Sequence, residues 1–389
     1  MTRHVLKTLL LYCGIVAASV MAALLIAEFY LSSRATPKLA IPFYNRLYPY
    51  VMFRPYENDA YISATTFAMS HHASRVYHYT NADGFRVTSK DYPLPRQKPA
   101  GQLRIAVLGG SAVQLGSTFE TTLPGSLKTL LQKQYPGRDI EVINAGIQSC
   151  VSRQSIAQLL FTVTEYQPDV VILYDGVNDI GLPMTYESRP NFPYNFQAME
   201  EAWDSYRRSY QEPLFRLLLH RSYVYGLIRG RRNRTASPGN PFIGPNAVRA
   251  ERVIRDRDFV QNHIAEYLSN WRKLIELSAA YHYQTVCILQ PTGGLDREYA
   301  EPLIRKEYQL DREAASSWLE AFSVLYREAD RQIEDLRRVY PRAVLLNLSA
   351  SLKPSQKYFW DLAHVYDETN MLLAERIHRD TQHTIPLAR

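Results

Sequence analysis

Four short polar segments, far apart along the chain, carry side chains that can do chemistry. They are LGGS, which ends at Ser111, NAGIQS, which contains Gly146, GVND, which contains Asn178, and DLAH, which contains Asp361 and His364. A serine hydroxyl becomes a good nucleophile when a histidine accepts its proton, and a nearby aspartate can hold the imidazole in the required tautomer. These residue types at this spacing suit the transfer of an acyl group.

The same segments contain groups that could stabilise the negative charge formed when serine attacks an ester. The candidate donors are the backbone N–H groups of Ser111 and Gly146 and the side-chain amide of Asn178. Loss of one such donor typically raises the barrier by about 3 kcal/mol. A glycine at 146 would let the backbone approach the reacting carbonyl without a Cβ in the way.

Each of these residues also has a purely structural interpretation. Gly-Gly-Ser can be an ordinary turn, Gly146 can be a turn glycine, and Asn178 can cap the next helix. The base has a second candidate, because DTQH, from Asp380 to His383, repeats the three-residue spacing. That segment lies in the final tail, where chain ends usually fray, so we favour His364.

Five apolar runs of strand length could position these segments. They are near-continuous rather than alternating, as expected of strands covered on both faces. The runs are Leu103–Leu108, Ile140–Ile143, Val170–Tyr174, Thr285–Leu289 and Ala343–Leu348, and helical patterns occur at 123–135, 153–166, 259–282, 314–340 and 368–379. Strands alternating with helices predict a parallel, doubly wound α/β sheet with the polar segments at one edge.

In order, spacing and strand context, the four segments resemble the sequence blocks of the SGNH hydrolases, also called GDSL-type esterases, of the membrane-anchored bacterial type. The resemblance covers about residues 100–380. It implies a flavodoxin-like three-layer α/β/α sandwich with a five-stranded parallel sheet, and no metal or cofactor. The residues implied are Ser111, His364 and Asp361 for the triad and Ser111, Gly146 and Asn178 for the oxyanion hole. One departure concerns the turn: the Asp that usually precedes the serine is Gly110 here.

The N-terminus predicts a membrane anchor. Residues 8–27 carry no charge, and as a helix they would span about 30 Å, the thickness of a bilayer core. Arg3 and Lys7 precede this stretch, which favours a cytoplasmic N-terminus and a following domain outside the cytoplasm, although basic residues also follow it. A cleaved signal peptide is the main alternative. The stretch is long for one and no clean A-x-A site ends it, so we expect an uncleaved anchor.

The bulk composition predicts a packed domain without a nucleic-acid partner. Of 389 residues, 46% are hydrophobic, and the net charge of +7 comes from basic residues scattered among 38 acids. The densest basic cluster, RGRRNR at 229–234, is typical of a solvated loop. We predict three parts: a cytoplasmic tip and anchor (1–38), an aromatic-rich stalk or cap (39–100) and an SGNH hydrolase-like domain (101–389). An insertion at 181–255 would cover the carboxyl edge of the sheet or form a partly disordered loop.

The resemblance implies a reaction type and leaves the substrate open. Because outward-facing anchored relatives often act on cell-surface glycans, the first hypothesis is a carbohydrate O-acetyl esterase. An O-acyltransferase that passes the acetyl group to a glycan hydroxyl would use the same triad. A lipid or general carboxylesterase would need an apolar trough in the insertion, whose Arg and Pro content argues against one. A non-catalytic glycan-binding module is the weakest of the four hypotheses, because the catalytic segments are complete.

Overall fold

The computed structural model describes residues 3–34, 45–48, 51–55, 60–61, 78–185, 189–192, 247–353 and 355–385. The basic cluster at 229–234 and most of the predicted insertion at 181–255 lie outside these ranges. The N-terminal helix, α1 (Arg3–Arg34), belongs to a different unit of the chain from the sheet and is described by itself. Within α1, the 20 residues of Leu11–Tyr30 are long and apolar enough to cross a membrane, a test that a signal sequence would also pass.

The described strands form one hairpin and one large sheet. The hairpin pairs β1 (Asn45–Tyr48) with β2 (Met52–Pro55). The sheet contains β3 (Ala60–Tyr61), β4 (His78–Thr80), β5 (Arg86–Val87), β6 (Leu103–Gly109), β7 (Ile140–Gly146), β8 (Val170–Asp175), β9 (Gln284–Leu289) and β10 (Val344–Asn347). The helices after α1 are α2 (Ser111–Gln114), α3 (Leu123–Gln134), α4 (Ser152–Phe161), α5 (Val177–Thr185), α6 (Ala250–Arg255), α7 (Arg257–Tyr281), α8 (Arg297–Glu307), α9 (Arg312–Val339) and α10 (Asp367–Thr381).

The strand order of the sheet is β10-β9-β8-β6-β7-β5-β4-β3. The five strands from β6 to β10 are parallel, and numbered along the chain they lie in the order 2-1-3-4-5 of flavodoxin-like folds. The predicted five-stranded parallel sheet is therefore confirmed. The antiparallel strands β3, β4 and β5 extend one edge, and they are too short for a hydrophobic period to reveal in the sequence.

Helices cover both faces of the parallel sheet. Along β6, Ile105 and Val107 join a core with α3 and α10, whereas Ala106 and Leu108 join a core with α4, α7 and α9. Each strand thus buries alternate side chains in opposite layers, which explains why its sequence is apolar throughout. The three-layer α/β/α architecture follows directly from this burial pattern.

All five predicted helices are present, and the structure adds several others. The longer two of these, α5 and α8, contain Pro183 and Pro302, and α5 also contains Gly181. Proline and glycine lower helix propensity and interrupt the apolar period by which a helix is recognised. Tertiary packing supports both helices: α5 places Ile180 and Met184, and α8 places Ile304, in the same buried core.

Candidate active site

Ser111 lies at the carboxyl end of β6, where the chain turns sharply from strand to helix. Gly109 ends the strand with φ +153°, and a Cβ there would collide with the carbonyl oxygen of Tyr174 in the neighbouring strand β8. Ser111 then begins α2, so its backbone N–H is one of the free donors at a helix start. The strand end therefore holds both the hydroxyl and a backbone donor at the sheet edge where ligands bind in this type of fold.

Gly110 occupies the position just before the serine, where the sequence blocks that this segment resembles usually have an aspartate. Its carbonyl accepts the N–H groups of Val113 at 3.1 Å and Gln114 at 3.2 Å. A Cβ on Gly110 would lie 3.0 Å from Nδ2 of Asn178. Glycine at this position therefore leaves room for the Asn178 amide beside the serine.

The side chains of Ser111, His364 and Asp361 form one hydrogen-bonded chain. Oγ of Ser111 lies 2.7 Å from Nε2 of His364, and Nδ1 of His364 lies 2.7 Å from Oδ2 of Asp361. In the tautomer that carries its proton on Nδ1, the imidazole donates to the carboxylate and accepts from the serine hydroxyl. The expectation that these three groups, widely separated in sequence, meet at one edge of the sheet agrees with this geometry.

The turn that carries Asp361 and His364 is held by hydrogen bonds within the turn and by one from Thr292, which follows β9. Oδ1 of Asp361 accepts the backbone N–H groups of Ala363 and His364, each at 2.7 Å. The carbonyl of Leu362 accepts the hydroxyl of Thr292, just after β9, at 2.7 Å. The ring of Trp360 also stacks on the His364 ring at 5.1 Å. These contacts fix the imidazole orientation that the serine requires.

The loop after the nucleophile is tied to the helix that follows the histidine. The carboxylate of Asp367, at the start of α10, accepts the N–H of Ser117 at 3.1 Å. The amide of Asn370 donates to the carbonyl of Thr121 at 2.8 Å. From the other side, Arg86 in β5 donates to the carbonyls of Gln114 and Gly116 at the end of this turn, at 2.6 and 2.9 Å. These contacts fix the segments that carry Ser111 and His364 relative to each other.

The charges of the triad stabilise one another. Burial alone would lower the pKa of the His364 imidazole, but the adjacent Asp361 carboxylate outweighs burial and the net pKa is raised. Burial alone would raise the pKa of Asp361, but His364 and the backbone donors outweigh it and the net pKa is lowered. Asp361 is therefore ionised at neutral pH and stabilises the imidazolium that forms when the histidine takes up a proton.

The second D-x-x-H candidate lies elsewhere. His383 is exposed in the turn after α10, and its partner in the motif, Asp380, forms an ion pair with Arg376 at 2.6 Å within α10. The structure gives neither residue a contact with Ser111. The preference for His364 over His383 is consistent with this placement.

Asn178 presents its side-chain amide to the space above Ser111. Its Nδ2 donates to the carbonyl of Cys150 at 2.7 Å, which fixes the amide plane. An amide nitrogen carries two hydrogens, so one donor remains for a ligand. Asn178 and Ser111 line the same pocket, as an oxyanion hole requires.

Gly146 does not reach this pocket, and its predicted contribution to the oxyanion hole is wrong. Its N–H donates to Oδ1 of Asn144 at 3.1 Å. A Cβ on Gly146 would lie 2.5 Å from the backbone nitrogen of Gln114. The glycine is therefore required for close packing of β7 against α2, the short helix that begins at Ser111.

Ser149, three residues further along the chain, lies at the pocket where Gly146 was expected. It occupies the third position of the turn Ile147–Cys150 with φ +59°, a conformation more usual for glycine, and it lines the pocket with Ser111 and Asn178. Among the described residues its N–H has no hydrogen-bond partner. The only sequence signal was the turn context itself, because a serine does not reveal a positive φ.

Replacement of Asn178 by alanine or aspartate is expected to lower kcat for an acetyl ester by about 10²–10³-fold, with a smaller change in KM, because a donor to the developing oxyanion is lost. Aspartate keeps the size of the side chain but cannot donate a hydrogen bond at neutral pH. Steady-state kinetics of both variants, with thermal melting as a check on folding, measure the effect. A variant that kept wild-type kcat would exclude Asn178 as a donor.

The pocket beside the triad is small and has an aromatic wall. Its cavity volume is about 230 Å³. Ser111, His364 and Asn178 lie in its lining together with Tyr308, Trp318 and Phe322. Trp318 packs against Tyr308 at 5.7 Å and against Phe322 at 5.1 Å between ring centres. Within the described ranges no group of three or more His, Cys, Asp and Glu side chains is suited to hold a metal ion.

A pair of buried carboxyl groups lies beneath Asn178, and sequence reasoning did not identify the pair. Oδ1 of Asp175 accepts the hydroxyl of Tyr267 at 2.7 Å and the indole N–H of Trp271 at 3.2 Å. Asp179 accepts the N–H and the hydroxyl of Ser152. Burial, followed by the charge of Asp179, raises the pKa of Asp175 well above its usual value, and burial raises the pKa of Asp179 to about 7. In the folded protein, both carboxyl groups therefore bind protons more tightly than they do in the unfolded chain.

This pair predicts that stability falls as pH rises from about 4 to about 7. In that range the unfolded chain loses protons that the folded state keeps, and each such group can change the unfolding free energy by up to about 1.4 kcal/mol per pH unit. Asp175→Asn, which stays neutral and keeps the acceptor for Tyr267, is expected to flatten this part of the profile. Urea denaturation from pH 4 to 8 measures it, with the exposed Asp91→Asn as the control. Parallel profiles for wild type and Asp175→Asn would contradict a raised pKa of Asp175 in the folded protein.

No family model and no curated protein matches the chain. Solved structures with a similar arrangement include Axe2, an acetylxylan esterase from Geobacillus stearothermophilus, at 14% identity and a TM-score of 0.37, covering 74% of this chain and 96% of that one. Another, from Parabacteroides merdae, is described as a GDSL-like lipase, at 14% identity and a TM-score of 0.39, covering 72% and 95%. A third is LAE5, an alpha/beta hydrolase from the metagenome of Lake Arreo, at 12% identity and a TM-score of 0.36, covering 72% and 95%. At these values the likeness carries no inference about activity.

Proposed function

We propose that the protein is a serine esterase of the SGNH type that removes O-acetyl groups from a cell-surface carbohydrate through an acyl-enzyme. The observation that carries this proposal is the hydrogen-bonded chain from Asp361 through His364 to Ser111, which opens onto a small pocket with donors beside it. The function rests on that site, because the fold alone serves many chemistries.

The reaction follows from the positions of these atoms. Oγ of Ser111 attacks the ester carbonyl as Nε2 of His364 takes the hydroxyl proton. The N–H groups of Ser111 and Ser149 and the amide of Asn178 stabilise the oxyanion. The imidazolium then donates its proton to the leaving alcohol oxygen as the C–O bond breaks, which leaves acetyl on Ser111. A water molecule, deprotonated by His364, attacks the acyl-enzyme and releases acetate, and the proton returns to Oγ.

The size of the pocket supports a short acyl group. Pockets that hold drug-sized ligands usually measure about 300–1,000 Å³, and this cavity is about 230 Å³. The same cavity also receives the alcohol part of the ester, so little of the volume that the described lining encloses is left for a fatty-acyl chain. This favours acetyl over lipid esters as the substrate.

The N-terminal helix supports a location at the cell membrane. We infer that Leu11–Tyr30 spans the bilayer once, uncleaved, with the catalytic domain outside the cytoplasm. Basic residues at positions 3 and 7 on its N-terminal side favour this orientation. An enzyme anchored in this way meets glycans of the cell surface or periplasm.

Product analysis tests the proposal. The full-length protein, purified in detergent, is incubated with 4-nitrophenyl acetate, with and without a neutral oligosaccharide acceptor. Acetate release that does not need the acceptor supports an esterase, whereas acetylated oligosaccharide as the main product would identify the acyltransferase alternative. Faster turnover of longer acyl chains would indicate a lipid or general carboxylesterase. Absence of turnover with every ester would contradict the proposed function.

A further inference from the structure

The pocket beside Ser111 contains a carboxylate that the acyl-transfer steps do not use. Glu307, the last residue of α8, lines the same pocket as Ser111 and His364. The residue as a whole is exposed, whereas its carboxyl is partly desolvated by the surrounding protein and lies close enough to Asp361 and His364 for their charges to interact. A second negative charge therefore lies in the pocket that receives the ester, and only the alcohol part of an acetyl ester carries groups that can bond to it or be repelled by it.

Among the described lining residues, Glu307 is a carboxylate without a lysine or arginine beside it. The described lining contains the carboxylates Glu307 and Asp361 and neither lysine nor arginine. The charge of Asp361 is directed at His364 through their hydrogen bond, whereas Glu307 has no ion-pair partner among the residues that the structure describes. The pKa of Glu307 is raised, first by the protein packed around its carboxyl and then by the Asp361 charge.

An apolar wall lies beside this carboxylate. Tyr308 follows Glu307 in sequence, and Trp318 packs between the rings of Tyr308 and Phe322. All three aromatic residues line the pocket with Glu307. The three side chains are largely buried, and the parts that border the cavity form an apolar surface next to a hydrogen-bond acceptor. This combination suits a sugar, which has an apolar face and hydroxyl groups at its edge.

We propose that Glu307 selects the alcohol part of the ester, an inference that rests on the esterase function proposed above. The carboxylate accepts hydrogen bonds from hydroxyl groups of a neutral sugar that lies on the aromatic wall. It repels an ester whose sugar carries a carboxylate of its own, since no cation in the described lining offsets the repulsion. The substrate class is therefore an O-acetylated neutral carbohydrate and not an acetylated polyuronate.

Two matched esters test this selection with the full-length protein in detergent. They are methyl glucoside and methyl glucuronoside, each acetylated at one ring hydroxyl, so that they differ by the carboxylate. We expect kcat/KM to be about tenfold higher for the neutral ester at low salt. Because exposed charges are screened, the preference is expected to shrink when the salt concentration is raised toward 1 M.

Variants of Glu307 separate its charge from its hydrogen bonds. Glu307→Gln removes the charge and is expected to bring the preference for the neutral ester to within about threefold, mainly by lowering KM for the glucuronoside. Glu307→Ala also removes the acceptor and is expected to lower kcat/KM for the neutral ester by about 2–10-fold. Glu298→Gln, which makes the same charge change at an exposed position of the same helix, is the control and should keep the wild-type preference.

The outcomes distinguish a failure of this inference from a failure of the proposed esterase function. If the wild type hydrolyses neither sugar ester nor 4-nitrophenyl acetate, the esterase proposal fails. If it hydrolyses them but Glu307→Gln keeps the wild-type preference, or the wild type prefers the glucuronoside, the role of Glu307 is wrong while the esterase stands. Because Glu307 is exposed, the variants should fold, and Glu307→Lys, expected to invert the preference, provides a second test.

Discussion

Ser111→Ala is expected to lower kcat/KM for 4-nitrophenyl acetate by about 10⁴–10⁶-fold, the range found when the nucleophile of a serine hydrolase is removed. Without Oγ, no acyl-enzyme forms, and His364 loses the hydroxyl to which it is bonded at 2.7 Å. The fold should persist, because Ser111 is only partly buried and alanine suits the first position of a helix. Acetate release and thermal melting measure the two effects.

The control for this change is Ser269→Ala, a partly exposed serine on α7 far in sequence from the site, whose hydroxyl donates to the carbonyl of Glu266. It should keep wild-type turnover. A serine-reactive phosphonate should label the wild type and the Ser269 variant but not the Ser111 variant. Undiminished hydrolysis by Ser111→Ala would exclude Ser111 as the nucleophile, and equal inactivity of wild type and variant would favour a glycan-binding module.

His364→Ala is expected to reduce kcat to a similar extent, because no other base lies within bonding distance of Ser111 among the described residues. Part of the activity should return on addition of free imidazole, which can enter the space left by the side chain. The pH dependence of the restored activity should then follow the pKa of the added base. Rate measurements with and without imidazole test this.

His383→Ala is the matched control, since it removes a histidine from the same D-x-x-H spacing at an exposed position. It should leave kcat and KM unchanged. Loss of activity in His383→Ala alone, with His364→Ala fully active, would show that the base had been assigned to the wrong segment.

The parallel sheet and the meeting of Ser111, His364 and Asp361 were predictable from the sequence for physical reasons. A strand covered on both faces is apolar throughout, so its limits are visible as hydrophobic runs. In a parallel sheet the carboxyl ends of strands share one edge, so Ser111 and Asn178, which follow β6 and β8, had to lie close together. Asp361 and His364 could be assigned to the same site because, at a spacing of three residues, the carboxylate can form a hydrogen bond with the imidazole.

The errors occurred where function depends on backbone conformation or on packing across layers. Gly146 looked like an oxyanion donor, yet its N–H is bonded to Asn144 and its missing Cβ makes room for α2. Ser149 adopts a positive φ that no sequence pattern announced. The partners of Asp175, Tyr267 and Trp271, come from α7, about 90 positions further along the chain, and no local pattern links residues at such a separation.

The distance along the chain between the two reacting groups has a consequence for biosynthesis. Ser111 and His364 are 253 positions apart, and the bonds that align them come from α10 near the C-terminus. During synthesis, which proceeds from the N-terminus, the serine therefore has no base until the 253 positions that separate it from His364 have been made. A shorter nascent chain has the hydroxyl but not the imidazole, so Ser111 cannot be activated before that point.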